Sequence, residues 1–422
     1  MTRLSETSDG ISWIDQFRPE DQRLAYSLLD SLVLIEHDEL VSGIQDLIKK
    51  VASNNKGVIG IFAEREIRRG KGGIPNALYK QPRKKKNRRA FGPGPQPVKP
   101  KHAHDLTVGS EGIIAWLVTD ICKQYPKRFI SHPSPGQIRT KRVRKFMLVT
   151  DMIGSGRRVR EYLDSAWKVA SVKSWKSLGL LDFTVISYTG TELGVSLSRS
   201  HKTKPNVLIA RSCPTIFTEF DNETAEAIRS LCMHYDPIDH DRIESLGYGG
   251  SEALVVFSHS CPNNVPRLLF KTDIKKKWRP MFPNRGTASS RNAFKSVKGN
   301  SDLRHKLARM NEARLSNGDW VSLYSEEGKN MLLVLAAIRS GPRQSEAISR
   351  KTGLNILKID ILLENATKWG WVDSNRRLTA SGKGQLNYAR KIKANHNNHE
   401  EKVKQYYFPK SLRAPVDASS SR

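Results

Sequence analysis

The chain has 422 residues, a length that accommodates two or three domains of ordinary size. Its 71 lysines and arginines against 42 aspartates and glutamates give a net charge of +29, which indicates nucleic acid as the first partner to consider. The apolar fraction is 38%, apolar runs fall far short of the about 20 residues of a membrane helix, and the polar amino terminus has no signal core, so we expect a cytoplasmic protein without a membrane partner.

Residues 1–56 are predicted to form an amino-terminal helical cap. Leucines recur at helical spacing between positions 24 and 32, and a second apolar set does so between positions 44 and 51. No residue pattern here indicates chemistry, so we predict that the cap only packs against the rest of the protein.

Residues 57–290 have the alternation of an α/β domain. Short apolar runs typical of strands occur at 57–63, 129–132, 145–151, 183–188, 207–211 and 253–259. Helical patterns occur at 112–125 and 223–235. Strands that alternate with helices predict a mainly parallel sheet that binds ligands at the carboxyl ends of its strands. The cysteines are widely separated and form no Cys-x-x-Cys pair, which predicts reduced structural thiols and no metal site.

A basic insert at 66–105 interrupts this domain. Its glycines, prolines and clustered cations are too polar to pack, so it is either a solvated loop or a segment that contacts nucleic acid. For the second interpretation, the contacting residues are Arg83, Lys84, Lys85, Lys86, Arg88 and Arg89. Just before the insert, Arg65 follows the strand at 57–63 and is either an anion ligand or part of a solvated ion pair.

The run at 145–156 is the most informative stretch. A β-branched, apolar strand ends in Asp151 and turns through Gly154, Ser155 and Gly156 into a helical segment. The strand brings a carboxylate to the sheet edge, the glycines let backbone N–H groups approach an anion, and the helix N-terminus adds its positive dipole end. The alternative is an ordinary strand–turn–helix, because a short Gly-x-Gly turn alone is weakly specific.

This run resembles the phosphoribosyl-pyrophosphate loop of the phosphoribosyltransferases. The resemblance implies that Asp151 holds ribose hydroxyls, directly or through Mg²⁺, and that Ser155 and the loop N–H groups hold a 5′-phosphate. Thr150 and Gly154 stand where that family has acidic residues, which leaves open whether the pocket is catalytic. We predict Asp151 as the catalytic residue and, as the ribose-phosphate-binding set, Thr150, Asp151, Gly154, Ser155, Gly156, Arg157 and Arg65.

A second group of motifs extends the resemblance to residues 11–286. Trp13 and Phe17 precede the Gly-Ser-Gly loop, and a Pro-Asn-Asn turn at 262–264 follows it. In this order they resemble a divergent phosphoribosyltransferase-like family of bacterial conflict systems, which includes retron-linked defence loci.

Three polar residues stand at the carboxyl end of the strand at 253–259. They are His259, Asn263 and Asn264. Such a position suits contacts to a base or a ribose, and the alternative is an asparagine-rich turn that only caps the strand.

The carboxyl-terminal part changes character at residue 327. Three helical patterns followed by a basic hairpin at 369–379 predict a winged helix-turn-helix over 327–390, preceded by a linker at 291–326 and followed by a flexible basic tail at 391–422. Winged helices bind DNA or other proteins, and both remain open. Lys358, Arg376 and Arg377 are the predicted nucleic-acid contacts, mainly to phosphates.

Three functions fit these features. The first is an effector enzyme that acts on a nucleotide or phosphoribosyl substrate and is tethered to nucleic acid. The family context implies antiphage defence, with DNA or a DNA–RNA hybrid such as a retron product as partner, together with a reverse transcriptase. The second is a non-catalytic DNA-binding regulator whose pocket senses a phosphoribosyl metabolite. The third is a nucleic-acid-binding scaffold with a vestigial pocket.

Overall fold

The computed structural model describes residues 3–82, 89–96, 110–238, 242–273, 278–285 and 301–392. The elements up to the end of the sheet region are, in chain order, α1 (Ser8–Ile14), α2 (Pro19–Asp30), β1 (Val33–Ile35), α3 (His37–Ser53), β2 (Ile59–Ala63), α4 (Ser110–Gln124), β3 (Phe129–Ser131), α5 (Pro135–Thr140), β4 (Lys145–Ile153), α6 (Arg157–Trp167), α7 (Ala170–Ser177), β5 (Asp182–Gly190), α8 (Glu192–Arg199), β6 (Asn206–Ser212), α9 (Ile216–Glu219), α10 (Asn222–His234), α11 (Arg242–Ser245) and β7 (Val255–Phe257). The carboxyl-terminal elements are α12 (Ser301–Arg309), α13 (Ala313–Ser316), α14 (Trp320–Leu323), α15 (Glu326–Arg339), α16 (Ser345–Thr352), α17 (Ile356–Lys368) and α18 (Ala380–Lys391).

The central sheet has the strand order β3-β2-β4-β5-β6. All of its pairings are parallel, which confirms the predicted mainly parallel sheet. β2 and β4 lie side by side, with Ala63 opposite Val149. From β2 the chain moves outward to β3 on one side, and from β4 it moves outward to β5 and β6 on the other. The strand order therefore reverses between β2 and β4, and a crevice is expected at their carboxyl ends.

Helices cover both faces of this sheet, as strands that are apolar on both sides require. α3 and α4 bury the face that carries Ile61 and Met147. α6 and α7 bury the opposite face, where Phe62 stacks on Phe146 with ring centroids 3.9 Å apart and Phe146 stacks on Phe183 at 5.0 Å. Because both faces are buried, the ends of the strands are the places where a site can open to solvent.

The amino-terminal helices α1 and α2 pack against the end of the same domain. Trp13 and Phe17 meet Trp278 edge to face, with ring centroids 6.2 and 5.2 Å apart. β1 pairs in parallel with β7, with Leu34 opposite Val256. α3 lies within the predicted 1–56 cap, yet its apolar side chains belong to the core of the central sheet. The structure therefore divides the predicted segment between two cores.

The carboxyl-terminal unit contains α15, α16, α17 and a short hairpin with Val372 bridged to Leu378, which together form the predicted winged helix. The predicted linker differs from the structure in its described part. α12, α13 and α14 lie there, and Leu307, Leu315 and Trp320 are buried in the winged-helix core. These helices are short and contribute few apolar residues each, so their sequence has a weak helical pattern although their burial completes the core. The predicted tail lies outside the described residues from position 393 onward.

The winged helix contacts the central sheet at its edge strand β6. The Ser212 N–H donates to Ser349 Oγ over 3.3 Å, and the Ser212 hydroxyl donates to the Glu346 carbonyl over 3.1 Å. At the start of α17, Ile356 packs into the core on one face of the sheet and Leu357 packs into the core on the other. The first turn of α17 thus straddles the sheet edge and covers a strand that would otherwise be open to pairing.

Candidate functional site

An open pocket lies at the carboxyl ends of β2 and β4, where the strand order reverses. The end of β4 and the loop into α6 form most of it, and turns from the end of the domain close it. Its lining comes from Glu64, Ser110, residues 151–159, Tyr248, Ser260, residues 262–264 and Arg285. This is the position at which open parallel sheets bind their ligands.

Closely packed backbone holds the loop between β4 and α6. Gly156 precedes α6 with φ of 73°, a left-handed conformation that glycine adopts without strain. A Cβ on Gly156 would lie 2.6 Å from the Gly194 carbonyl oxygen, and one on Gly154 would lie 1.9 Å from the Asn264 amide nitrogen. The Thr191 hydroxyl donates to the Gly154 carbonyl over 2.6 Å. The first N–H groups of α6 have no acceptor within the helix, so this supported loop has the donors and the helix N-terminus that suit an anion.

Guanidinium groups add positive charge to the pocket. Arg157 lies over the Tyr248 ring, 5.4 Å from its centroid, and donates to its hydroxyl over 3.2 Å. Arg285 lines the other side, where its Nε donates to the Cys261 carbonyl over 2.7 Å. The protein itself thus orients both side chains beside this loop.

Two carboxylates face these cations. Asp151 lies near the end of β4, and Glu64 follows β2 with only 5% of its surface exposed. The Thr150 hydroxyl lies 3.3 Å from Glu64 Oε2 and 3.2 Å from Asp151 Oδ1. Arg158 donates from Nε to Glu64 Oε1 over 3.0 Å and also pairs with Glu111. Burial raises the pKa of Glu64 to about 7; Arg158 opposes this rise, and the carboxylates of Asp151 and Glu111 add to it.

The structure brings most of the predicted site residues together. Those that line the pocket are Asp151, Gly154, Ser155, Gly156, Arg157, Asn263 and Asn264. Thr150 is buried behind them. Arg65 lies outside the lining and donates to the Gln96 carbonyl. His259 also lies outside it and stacks on Phe257 with centroids 5.1 Å apart; burial lowers the pKa of His259, and the nearby Asp151 opposes that shift.

Sequence reasoning missed Glu64, Arg158, Tyr248 and Arg285 as pocket residues. Glu64 carries a signal, since an acid follows a buried strand whose carboxyl end meets that of β4. Tyr248 and Arg285 lie roughly 90 and 130 residues further along the chain than the loop, and no spacing links them to it. Only the packing of the domain's end over the loop reveals them.

The predicted nucleic-acid contacts of the insert fall largely outside the described residues. These are Arg83, Lys84, Lys85, Lys86 and Arg88. Arg89 is described and is exposed. It lies near Arg139, whose pKa is lowered by burial and further by the Arg89 charge. A concentration of positive charge is therefore present at this end of the insert.

The predicted contacts of the winged helix have two different settings. Lys358 on α17 and Arg377 in the hairpin are exposed. Arg376 instead ties the hairpin to the helices, since its Nη1 donates to Ser345 Oγ and to the Arg343 carbonyl, each over 3.0 Å. Lys358 and Arg377 are thus the ones that remain available to a phosphate.

The described part of the chain also bears on metal binding and on membrane insertion. Among those residues, no three His, Cys, Asp or Glu side chains lie together so as to hold a metal. No helix in the same ranges is long and apolar enough to cross a membrane. The four cysteines are unbonded, and burial raises the pKa of Cys122 and Cys213 to about 12. A cation at the pocket would therefore need ligand atoms from a bound compound as well.

Comparison with known proteins gives two family matches. The family described as wHTH-PRTase associated matches residues 332–414. The family described as PRTase-CE matches residues 11–284, a range that holds the central sheet, the second half of α1, all of α2 and nearly all of the pocket. No curated protein and no solved structure matches the chain significantly. Because the second match spans more than half of the chain and agrees with its sheet and loop, the protein belongs to the PRTase-CE family of phosphoribosyltransferase-like proteins and carries a PRTase-associated winged helix at its carboxyl-terminal end.

Proposed function

We propose that this protein is an effector that acts on a nucleotide or another phosphoribosyl compound and is tethered to nucleic acid, in retron-type antiphage defence. The observation that carries the proposal is that one pocket joins the glycine-rich loop at the start of α6 to the carboxyl groups of Asp151 and Glu64. Membership of the PRTase-CE family supports a phosphoribosyl ligand. The defence setting, with a reverse transcriptase and a DNA–RNA hybrid as partners, rests on the resemblance of the motifs.

The phosphate of such a ligand fits the start of α6. Ser155 and the N–H groups that follow Gly156 supply neutral donors, and the helix dipole favours a negative charge there. Arg157 and Arg285 supply full positive charges on two sides. A dianionic phosphate would thus be surrounded by donors that the fold has already oriented, and little side-chain entropy would be lost on binding.

The sugar of the ligand would reach the carboxylates. Asp151 would accept hydrogen bonds from ribose hydroxyls and so place C1 in the open part of the pocket. In cleavage of an N-glycosidic bond, the base leaves C1 with the bonding electron pair and gains a proton, while water adds to C1. The pocket's share would be to fix the sugar phosphate and to stabilise the charge that develops at C1.

Mg²⁺ is the cofactor that fits this donor set best. The oxygens of Asp151 and Glu64 are hard ligands of the type that Mg²⁺ prefers together with phosphate oxygens. A bound Mg²⁺ would supply neutralisation of the ligand's negative charge. Asp151 is the side chain that we propose to hold it, with the ligand's own oxygens completing the shell.

A second candidate function is a regulator that senses a phosphoribosyl metabolite and changes its affinity for DNA. One observation favours it: the Asn264 amide occupies the space that a side chain at position 154 would fill, so the loop carries no acid at that position. The contact of the winged helix with β6 would give the pocket's domain a physical route to the nucleic-acid-binding unit.

Metabolite profiling of cells that express wild type or Asp151→Asn tests the proposal. We expect loss of one nucleotide pool and arrested growth with wild type during phage infection, and neither with Asp151→Asn, because the isosteric amide cannot accept both hydroxyl hydrogen bonds. Asp46→Asn on the exposed side of α3 removes the same charge away from the pocket and should behave as wild type.

Binding by the purified proteins separates the two candidate functions. We expect ribose 5-phosphate to bind wild type about 10- to 100-fold more tightly than Asp151→Asn, the range for a hydrogen bond to a charged group. Binding without any change in nucleotide pools, but with altered DNA affinity, would favour the regulator. If wild type does not bind the sugar phosphate at all, the phosphoribosyl proposal is wrong.

A further inference from the structure

Glu64 follows β2 and lies beside the part of β4 that carries Asp151. Its N–H donates to the Val149 carbonyl over 2.8 Å and continues the pairing of β2 with β4, so that Glu64 stands across from Thr150. Both Glu64 and Asp151 line the pocket. Two neighbouring strands therefore each deliver one carboxylate to the same point, although a single strand carries only one acid there.

One hydroxyl lies between these two carboxylates. Thr150 Oγ1 is 3.3 Å from Glu64 Oε2 and 3.2 Å from Asp151 Oδ1. A hydroxyl has a single hydrogen, so it can satisfy one of the two acceptors fully and leaves capacity on the other. Further O–H donors that enter the pocket would therefore stabilise the pair.

The remaining oxygen of Glu64 is fixed from the other side. Arg158 Nε donates to Oε1 over 3.0 Å, and Arg158 is itself held by Glu111. Only 5% of Glu64 is exposed. Its side chain cannot swing away at low cost, so its second oxygen stays beside the Thr150 hydroxyl that also reaches Asp151. Such pre-orientation is the condition for a specific contact.

We propose that Glu64 is a specificity-determining residue, which reads the hydroxyls of a ribose together with Asp151 and makes the pocket prefer ribose over 2-deoxyribose. The inference rests on the proposed phosphoribosyl function and deepens it. Two adjacent ring hydroxyls present two donors on one side of the sugar, and the two carboxylates present acceptors on two sides of Thr150. Loss of one hydroxyl would leave a buried acceptor without its donor, the kind of penalty that gives strong discrimination.

Affinities for ribose 5-phosphate and 2-deoxyribose 5-phosphate test this role. We expect wild type to prefer the ribose compound by about tenfold or more, and Glu64→Gln to reduce the preference to about two- or threefold. Glu66→Gln, two residues further on and exposed, is the matched control and should keep the wild-type preference. Ser155→Ala should weaken the binding of both compounds equally, because it removes a contact to the phosphate, which both compounds share.

Two further variants keep the test decisive. Thr150→Asp, added to Glu64→Gln, returns a carboxylate beside Asp151 and should restore part of the preference. If Glu64→Gln melts too low to be studied, Glu64→Asp keeps the charge but shortens the side chain, and should also lose most of the preference.

The failures of the two proposals are distinguishable. If wild type binds ribose 5-phosphate and Asp151→Asn weakens it, yet Glu64→Gln discriminates as well as wild type, then Glu64 does not read the sugar. If wild type binds both sugar phosphates equally, the specificity proposal is likewise wrong while the phosphate site stands. Binding of neither compound would overturn the phosphoribosyl function and this inference with it.

Discussion

Glu64 makes the stability of the folded protein depend on pH. Its pKa is about 7 in the folded state against an ordinary value of 4.5. Between these two values the unfolded chain releases a proton that the folded protein keeps, so the free energy of unfolding falls as the pH rises. The contribution of Glu64 to the free energy of unfolding is fully present below pH 4.5 and is lost as the pH rises through 7. The loss amounts to roughly 3 kcal/mol.

Thermal denaturation across this pH range measures the effect. The melting temperature of wild type should fall between about pH 5 and pH 7.5. That of Glu64→Gln should fall much less, because a neutral amide has no proton to release. The groups around Glu64, namely Arg158, Asp151, Glu111 and Tyr162, are retained in the variant. Equal slopes for the two proteins would show that Glu64 titrates as an ordinary surface carboxyl.

The same residue illustrates what a sequence can and cannot reveal about a site. Asp151, Ser155 and the glycines were predictable because strand, turn and helix are contiguous, and each residue type has a local reason. Glu64 contributes through a register between β2 and β4, and Tyr248 through packing over the loop. Such contacts depend on which strands become neighbours, which spacing along the chain does not encode.

At the level of elements, the start of α8 supports the loop between β4 and α6. Thr191 caps this helix by accepting from the Gly194 N–H over 3.0 Å, and its hydroxyl donates to the Gly154 carbonyl over 2.6 Å. Thr7 does the same for α1, accepting from Gly10 over 3.0 Å and donating to Leu4 over 2.7 Å, but far from the pocket. The two caps differ mainly in the carbonyl that accepts from the threonine hydroxyl: that of Gly154 belongs to the pocket loop, whereas that of Leu4 does not.

Replacement of each threonine by valine separates stability from binding. Thr191→Val and Thr7→Val should each lower the free energy of unfolding by about 1 kcal/mol, the usual cost of a lost cap. Only Thr191→Val should also weaken ribose 5-phosphate, several-fold, because the loop carbonyl loses its donor. Titration calorimetry beside thermal denaturation measures both, and equal affinities for the two variants would exclude a role of α8 in the loop.

Other elements were harder to predict than these. The strands and α4 follow from continuous apolar runs, but α12, α13 and α14 are short and lie in a stretch that indicates a linker. Leu307, Leu315 and Trp320 are fully buried there and supply much of the contact that orders the segment. Tertiary burial, which a local pattern does not contain, decides the structure of such pieces.

At the level of the whole molecule, we infer that docking of the winged helix on the sheet would compete with binding of nucleic acid. In helix-turn-helix domains the first residues of the recognition helix contact base edges. Here the first turn of α17 is packed into the edge of the sheet through Ile356 and Leu357. Arg350 of α16 adds an ion pair to Glu192 of α8 over 3.1 Å. We infer that the docked state can contact only backbone phosphates, through exposed residues such as Lys358 and Arg377.

Glu192→Arg tests this competition from the sheet side, without any change in the winged helix. Repulsion of Arg350 should favour undocking and raise the affinity for duplex DNA by about threefold, the range that one exposed ion pair supplies. Glu223→Arg makes the same change of charge at an exposed position of α10 and corrects for simple electrostatic attraction between the protein and DNA. The exchange Glu192→Arg with Arg350→Glu should return to the docked affinity, and equal affinities for Glu192→Arg and Glu223→Arg would argue against competition.

The pairing of β1 with β7 also orders events during synthesis. α1 and α2 are made before the rest of the domain, while their packing partners Trp278 and Phe282 are among the last residues of the domain to be made. At about 5–20 residues per second, Trp13, Leu28 and Leu29 wait roughly ten to fifty seconds before all residues of their core have been made. The amino-terminal helices are thus made early, but their core is complete only after the last part of the domain has been made.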